Sequence, residues 1–212
     1  KIKVISLPSN GVLKLSGVDV NINDEILAAD FGNLTFTPDA NWNGSTNFEW
    51  GGFDGTVYAA LDAKVNIVVN PVNDPPLAGY DAYNTTEDTP LSISAANGVL
   101  VNDLDLDGNV LRAQVTEIPL NGNLHFNSDG SFLYIPNTDF NGSDSFKYIA
   151  SDGSAQSSPS EVTITVNPVN DAPIIAPVAN VTMDEDASPT LVSINVADVD
   201  SPLASLVITA FS

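Results

Sequence analysis

Twice in this chain a run of alternating apolar residues ends in nearly the same proline-bearing segment, NPVNDPP at 70–76 and NPVNDAP at 167–173. The runs before them, Val65, Ile67, Val69 and then Val162, Ile164, Val166, have a period of two, which predicts strands that each bury one face. Pro71, Pro75 and Pro76, like Pro168 and Pro173, lack a backbone N–H and have a fixed φ, so each strand must stop there and the segment that follows is stiff. Asn70 and Asn167 are 97 residues apart, the length of one small domain, so the chain is constrained to repeats joined end to end.

Alignment of the repeats extends well beyond the joints. At an offset of 98, NWNGSTNFEWGGFDG (41–55) lies on DFNGSDSFKYIASDG (139–153), pairing Trp42 with Phe140, Phe48 with Phe146, Trp50 with Tyr148 and Asp54 with Asp152. Phe48, Trp50, Phe146 and Tyr148 alternate with polar neighbours and are expected in the core. LTFTP (34–38) matches FLYIP (132–136), and SNGVLKL (9–15) matches LNGNLHF (120–126) at an offset of 111, which leaves an insertion of 13 residues in the first repeat. That insertion, within 17–30, carries Asp19, Asn21, Asn23 and Asp30 at calcium-loop spacing, but Asp24 stands where such a loop needs glycine, and an extra hairpin turning at Asn23-Asp24 is the expected form. A third copy opens after Pro173, where VTMDEDASP (181–189) falls on YNTTEDTP (83–90) with Glu185 on Glu87.

Three segments follow from this: a partial repeat at 1–76 without its first strand, a complete repeat at 77–173, and the opening part of a third at 174–212. No stretch sustains a 3.6-residue period, so helix is expected only as short turns such as 26–31 and 96–103. About seven short strands per repeat, broken by Gly, Asn, Asp and Pro, predict an all-β chain of tandem Greek-key β-sandwiches of immunoglobulin-like type.

The chemistry is that of oxygen and negative charge. With 27 acidic residues against 6 basic the net charge is −21, which repels nucleic acid and anionic membranes and calls for cations. There is no cysteine and one histidine, so disulfides, thiol catalysis and zinc sites are excluded. His125 alternates with Leu124 and Phe126, faces solvent, and has no constellation of partners for catalysis. No apolar run reaches the length of a membrane span, so this segment is not expected to insert into one. The sharpest acidic motif is DLDLDGN at 103–109, where Asp103, Asp105 and Asp107 could turn to one point only around a divalent ion, and hard oxygen ligands select calcium.

The segment YIASDGSAQSSPSEVTITVNPVNDAP (148–173) resembles the closing strands and linker of a cadherin repeat. With TTEDTP, ANGVLVNDLDLDGN, DGSFLYIP and FNGSDSFKY it makes the whole second repeat similar to the cadherin-like tandem repeats of large bacterial surface adhesins and extracellular matrix proteins. The resemblance implies calcium held where successive repeats meet. Carried over by motif, one set of ligands is Asp39, Asn73 through its carbonyl, Asp74, Asp105, Asp107 and Asp152. The other is Glu87, Asp139, Asn170, Asp171, Asp198 and Asp200. The linkers depart from the family pattern, with Pro71 and Pro168 where cadherins open on an Asp, which lowers the number of ions expected per joint to one or two.

The function implied is a non-catalytic, calcium-binding extension or adhesion module of a secreted, cell-surface protein. Its partners would be calcium, neighbouring repeats and copies of itself. Two other readings remain open at this stage. One is binding of surface polysaccharide, for which Tyr58, Tyr80 and Tyr83 are the aromatics left over from the core pattern. The other is a head-to-tail filament by strand exchange, since Val207 to Phe211 and Ile2 to Leu7 occupy overlapping positions in the repeat.

Overall fold

The structure is a computed structural model describing residues 1–188, 192–202 and 205–206. The chain divides into two compact units, Lys1–Asp74 and Pro75–Ser212. Val207 to Phe211, invoked above for a filament, lie outside the described residues.

In the first unit, β1 (Ile2–Val4), β2 (Gly11–Leu15), β3 (Val18–Asp19), β4 (Glu25–Ile26), β5 (Leu34–Pro38), β6 (Gly44–Gly52) and β7 (Ala63–Val69) form two sheets. Their orders are β4-β1-β6-β7 and β3-β2-β5. The insertion turns at Asn23, whose φ of 75° is the left-handed conformation Asn tolerates. It is not the expected hairpin, however. β3 pairs with β2 and β4 pairs with β1, so the inserted residues cross from one sheet to the other and bury Val20 and Ile26 between them. The helical turn near it is a 3-10 segment, Ala28–Asn33, and Ile26 belongs to β4.

The second unit has β8 (Asp81–Thr86), β9 (Leu91–Ile93), β10 (Arg112–Glu117), β11 (Gly122–Phe126), β12 (Phe132–Pro136), β13 (Gly142–Ser151) and β14 (Ser160–Asn167), with β15 (Ile174–Ile175) and β16 (Val196–Ala197) paired beyond them. The sheets are β10-β13-β14-β8 and β11-β12-β9. The other expected helical turn is a 3-10 segment at Ala95–Asn97. Between the sheets lie Phe132 and Tyr134 from β12, Phe146 and Tyr148 from β13, and Val162, Ile164 and Val166 from β14, all of them buried. Phe132 and Phe146 meet edge to face with centroids 5.4 Å apart, the geometry aromatic quadrupoles favour. This is an all-β sandwich.

Comparison of the repeats explains residues that alignment alone leaves unexplained. Gly122 sits beneath the Tyr134 ring, where an added Cβ would lie 2.4 Å from a ring carbon, and Gly11 sits beneath Phe36 with a corresponding 2.5 Å. The Asn-Gly pairs at 10–11 and 121–122 therefore make room for an aromatic ring on the neighbouring strand. Tyr134 then donates its hydroxyl to the buried carboxylate of Asp144 at 2.8 Å, which also accepts from Leu120 N and Asn121 N. In the first unit the ring is Phe36 and the residue matching Asp144 is Thr46, whose Oγ1 accepts from Ser9 N at 2.9 Å. With no phenol to satisfy, a single hydroxyl does the work of the carboxylate.

The two closing strands differ in their outer edges. β14 carries β8 on that side as a parallel neighbour, pairing Val162 with Asp81, Ile164 with Tyr83 and Val166 with Thr85. β7 is the edge strand of its sheet, hydrogen-bonded to β6. The expected buried face is accordingly complete in one and not in the other. Val162 and Ile164 are fully buried, but Val65 keeps 37% of its surface exposed and Ile67 and Val69 are only half-buried. Burial of the alternate residues requires a strand on both sides, which β7 lacks among the described residues.

Truncating the two matched isoleucines reads this out. Ile164→Ala is expected to cost the second unit about 2–5 kcal/mol, as for other fully buried aliphatics. Ile67→Ala should cost the first unit less than half as much, measured by denaturant unfolding of each variant.

Candidate metal centre

Glu87 follows the last residue of β8 and has a left-handed turn behind it, Asp88 having a φ of 56°. The residue is buried, with only 3% of its surface exposed. One carboxylate oxygen accepts from Val169 N in the proline-braced linker, and the other accepts from Asn141 Nδ2 at 3.1 Å. Both oxygens keep lone pairs after these bonds. Among the described residues, neither of these partners is cationic.

Around this carboxylate the second unit collects others. Ligand oxygens of Glu87, Asp171 and Asp200 lie within 4.8 Å of one another, as do those of Asp88, Asp139 and Asp171. Asp171 is common to both groups. Its Oδ2 is shielded from water and has no hydrogen-bond donor among the described residues. Loss of solvent, then the charges of Asp200, Asp139, Asp88 and Glu87, raise the pKa of Asp171 above its usual value. The backbone holds the group in place: Asp171 N donates to the Asp200 carboxylate, and Asp139 N donates to Asp88 Oδ1 at 3.3 Å.

The other members of the expected second set make local hydrogen bonds. Asn170 turns its amide onto the carbonyl of Asp171 at 2.7 Å, which fixes the linker. Asp198 Oδ1 accepts from Asp200 N at 3.0 Å and Ser201 N at 2.7 Å, shaping the turn that presents Asp200. Asp88 was missed by motif transfer. The signal was available: only Asn, Asp and Gly adopt its backbone conformation readily, and an Asp directly after a buried Glu at a strand end brings a second carboxylate to the same place.

Of the first expected set, Asp39, Asn73 and Asp74 belong to the first unit and Asp105, Asp107 and Asp152 to the second. Asp39 lies on an exposed loop with its N–H donated to Asn10 O, and Asn73 Nδ2 donates to the Asp74 carbonyl at 3.2 Å. Asp105 Oδ1 accepts from Asp107 N and Asn109 N, both at 3.0 Å, while its Oδ2 is buried without a donor. Asp152 Oδ1 accepts from Ser154 N and Ala155 N, as Asp54 Oδ1 accepts from Thr56 N and Val57 N. The recurrence of this Asp in both repeats is thus accounted for by a tight turn between the last two strands.

DLDLDGN does not gather its three carboxylates at one point. Asp103 turns inward instead, its Oδ1 accepting from Gly79 N and from the Tyr148 hydroxyl, each at 2.8 Å. The same hydroxyl lies 2.8 Å from Val99 O and 3.3 Å from Asp81 Oδ2, so one phenolic proton faces several acceptors. Asp81 is buried on β8, and burial pushes its carboxyl up to about 6, opposed by the Tyr148 bond and assisted by the charge of Asp103. A polar residue at an inward position of an alternating strand was the sequence signal for it.

Tyr83, offered above as a sugar platform, packs edge to face on Phe132 and donates to Asn97 O; it belongs to the core. Tyr58 lies against Phe53 and donates to Glu25, and Tyr80 donates to Thr163 at 2.7 Å. His125 is exposed.

Residues 73–168 match the model of the bacterial cadherin-like domain. No curated protein matches it in sequence. Among solved structures it is similar to human mucin-like protocadherin EC1-2, at 15% identity over 80% of this chain and 84% of that one, with a TM-score of 0.50. It is also similar to the protocadherin gamma B2 extracellular cadherin domains 1-5, at 17% identity over 95% of this chain and 40% of that one, with a TM-score of 0.52. These likenesses establish the cadherin fold. A match to an endo-fucoidan hydrolase of glycoside hydrolase family 107, at 20% identity, spans 80% of this chain but 24% of that enzyme, with a TM-score of 0.37, and carries no argument.

The buried Asp81 yields a pH dependence whose sign follows from its shift. Its folded-state value of about 6 lies above the unfolded 3.8, so between these pH values the folded chain holds more protons, and stability falls as pH rises through the window. Asp81→Asn, which keeps an acceptor for Tyr148, is expected to stabilise the second unit above pH 6 by on the order of 2–3 kcal/mol and to leave it unchanged below pH 4. Thermal melts from pH 3.5 to 7.5 check this.

Proposed function

We propose that the second unit binds calcium with Glu87, Asp88, Asp139, Asp171 and Asp200, and that the chain serves as a non-catalytic, calcium-stiffened extension and adhesion module outside the cell. The observation carrying the reading is that a 97% buried glutamate shares its surroundings with four aspartates, while one oxygen of Asp171 has no donor among the described residues. Like charges held that closely cost free energy unless a cation joins them, and an all-oxygen set of carboxylates suits calcium better than zinc or copper. Asn170 and Asp198 act as supports, the first through its hold on the linker and the second through the turn bearing Asp200.

Several facts bear on the rest of the reading. The match to a bacterial cadherin-like domain supports an adhesion-type, extracellular module. Among the described residues no helix is long and apolar enough to cross a membrane. A net charge of −21 is tolerable where divalent cations are at millimolar levels.

Extracellular calcium modules bind at about 10⁻⁴–10⁻³ M. Calcium at ten to a hundred times the dissociation constant then stabilises the unit by roughly 1.4–2.7 kcal/mol. For a unit of this size that is a rise in Tm of about 5–15 °C. The expected result is such a shift on adding calcium to chelator-treated protein, with strand content by circular dichroism unchanged, and its loss in Asp171→Asn and Asp200→Asn. An equal Tm in calcium and chelator would refute the site.

A further inference from the structure

We propose that the outer face of the β10-β13-β14-β8 sheet is a self-complementary surface on which a second copy of this chain docks, the two copies related by a two-fold axis between β13 and β14. Parity places the face. Phe146, Tyr148, Val162 and Ile164 point into the sandwich, so Ser143, Ser145 and Lys147 of β13 and Glu161, Thr163 and Thr165 of β14 point out of it. Both basic residues of the second unit, Arg112 and Lys147, lie on this face. Of the acids on these four strands, Asp81 and Asp144 are buried, and only Glu117 and Glu161 point outward. The face is therefore neutral on a chain whose net charge is −21, and two copies meet there without net repulsion. Tyr80 adds an aromatic ring that is 60% exposed yet held in place, its hydroxyl donating to Thr163 Oγ1 at 2.7 Å. Balanced charge beside a fixed, exposed tyrosine suits a protein partner.

The strand register supplies the complementarity. Lys147 lies opposite Glu161, Ser145 opposite Thr163 and Ser143 opposite Thr165. A two-fold axis in the plane of contact, parallel to the strands and midway between these two, sets β13 of each copy over β14 of the other. Lys147 then faces Glu161 of the second copy at two equivalent places, and the serines of one copy face the threonines of the other. β10 and β8 are the outer strands of the sheet, so the same axis sets each over the other and brings Glu117 to the level of Tyr80. Every contact is made twice, as an isologous dimer requires. Small Ser and Thr side chains at the centre let the sheets approach closely, and their hydroxyls both donate and accept. Lys147 Nζ already lies 3.0 Å from Glu117 Oε2, so docking adds a carboxylate to an ammonium group whose position is set. The surface gives the adhesion reading a partner, but it uses none of the carboxylates assigned to calcium.

Charge reversal tests the register. At about 1 mM, the weak end of specific association, sedimentation equilibrium of the full chain at physiological ionic strength is expected to show a dimer, in chelator as well as in calcium. Lys147→Glu and Glu161→Lys, each alone, set like charges opposite each other twice and should weaken self-association roughly tenfold or more, with unchanged circular dichroism spectra. An equal mixture of these two variants should recover the dimer as a heterodimer, because each copy then carries the charge that the other lacks. Ser145→Arg, at the centre of the face, should leave monomer, whereas Asn123→Arg, exposed on β11 of the other sheet, should dimerise as the unaltered chain does. The proposal is overturned if the unaltered chain is monomeric in chelator, if the mixture is no more dimeric than its components, or if Ser145→Arg and Asn123→Arg behave alike. A dimer in chelator together with a Tm that calcium leaves unchanged would refute the calcium site and uphold the docking face.

Discussion

The parallel pairing of β8 on β14 is the contact on which the second unit depends. It covers Val162, Ile164 and Val166 on the side that β13 leaves open, and it ends at the point where the proline-braced linker begins. Because both strands run the same way, the end of β8 and the end of β14 lie side by side. Glu87 therefore reaches Val169 N, and the carboxylates of the turn and the linker are brought to one place by the same hydrogen-bonded ladder that closes the sandwich. Core and candidate site are consequences of one strand alignment.

The first unit offers the contrast. It shares the sheet order through β1, β6 and β7, but among the described residues no strand pairs with the outer side of β7, and its core is correspondingly smaller. The insertion compensates in part by sending a two-residue strand to each sheet and burying Val20 and Ile26. Apolar area covered by an added loop replaces some of what a whole strand would cover.

The repeats make the fold legible in the sequence. Alternation in Phe146, Tyr148, Val162, Ile164 and Val166 gave the buried faces correctly, because a sheet residue's side is fixed by parity alone. Parity says nothing of how many strands flank an edge, and for that reason Val65 was expected inside. The insertion was misread for a similar reason: Asn23 marks a turn, but the partner of each arm is chosen by packing across the sandwich. In the candidate site, Glu87 and Asp171 stood out by motif. Asp103 did not behave as its motif suggested because a phenol from β13, 45 residues along the chain, offers it a hydrogen bond inside the sandwich. Asp54 and Asp152 recur at equivalent turns, where one carboxylate oxygen of each holds two backbone amides.

The exchange of Tyr134 with Asp144 for Phe36 with Thr46 has a bearing on how such arrays are shuffled. The two partners lie on different hairpins, 10 residues apart in sequence, and the carboxylate is buried only because a phenol and two backbone amides receive it. A crossover between repeats that fell between those positions would leave either a buried acid facing a phenyl ring or a phenol facing a threonine. Recombination that copies repeats within a gene is therefore constrained to move this pair as a linked block, and hybrid repeats assembled in the laboratory should be cut outside it.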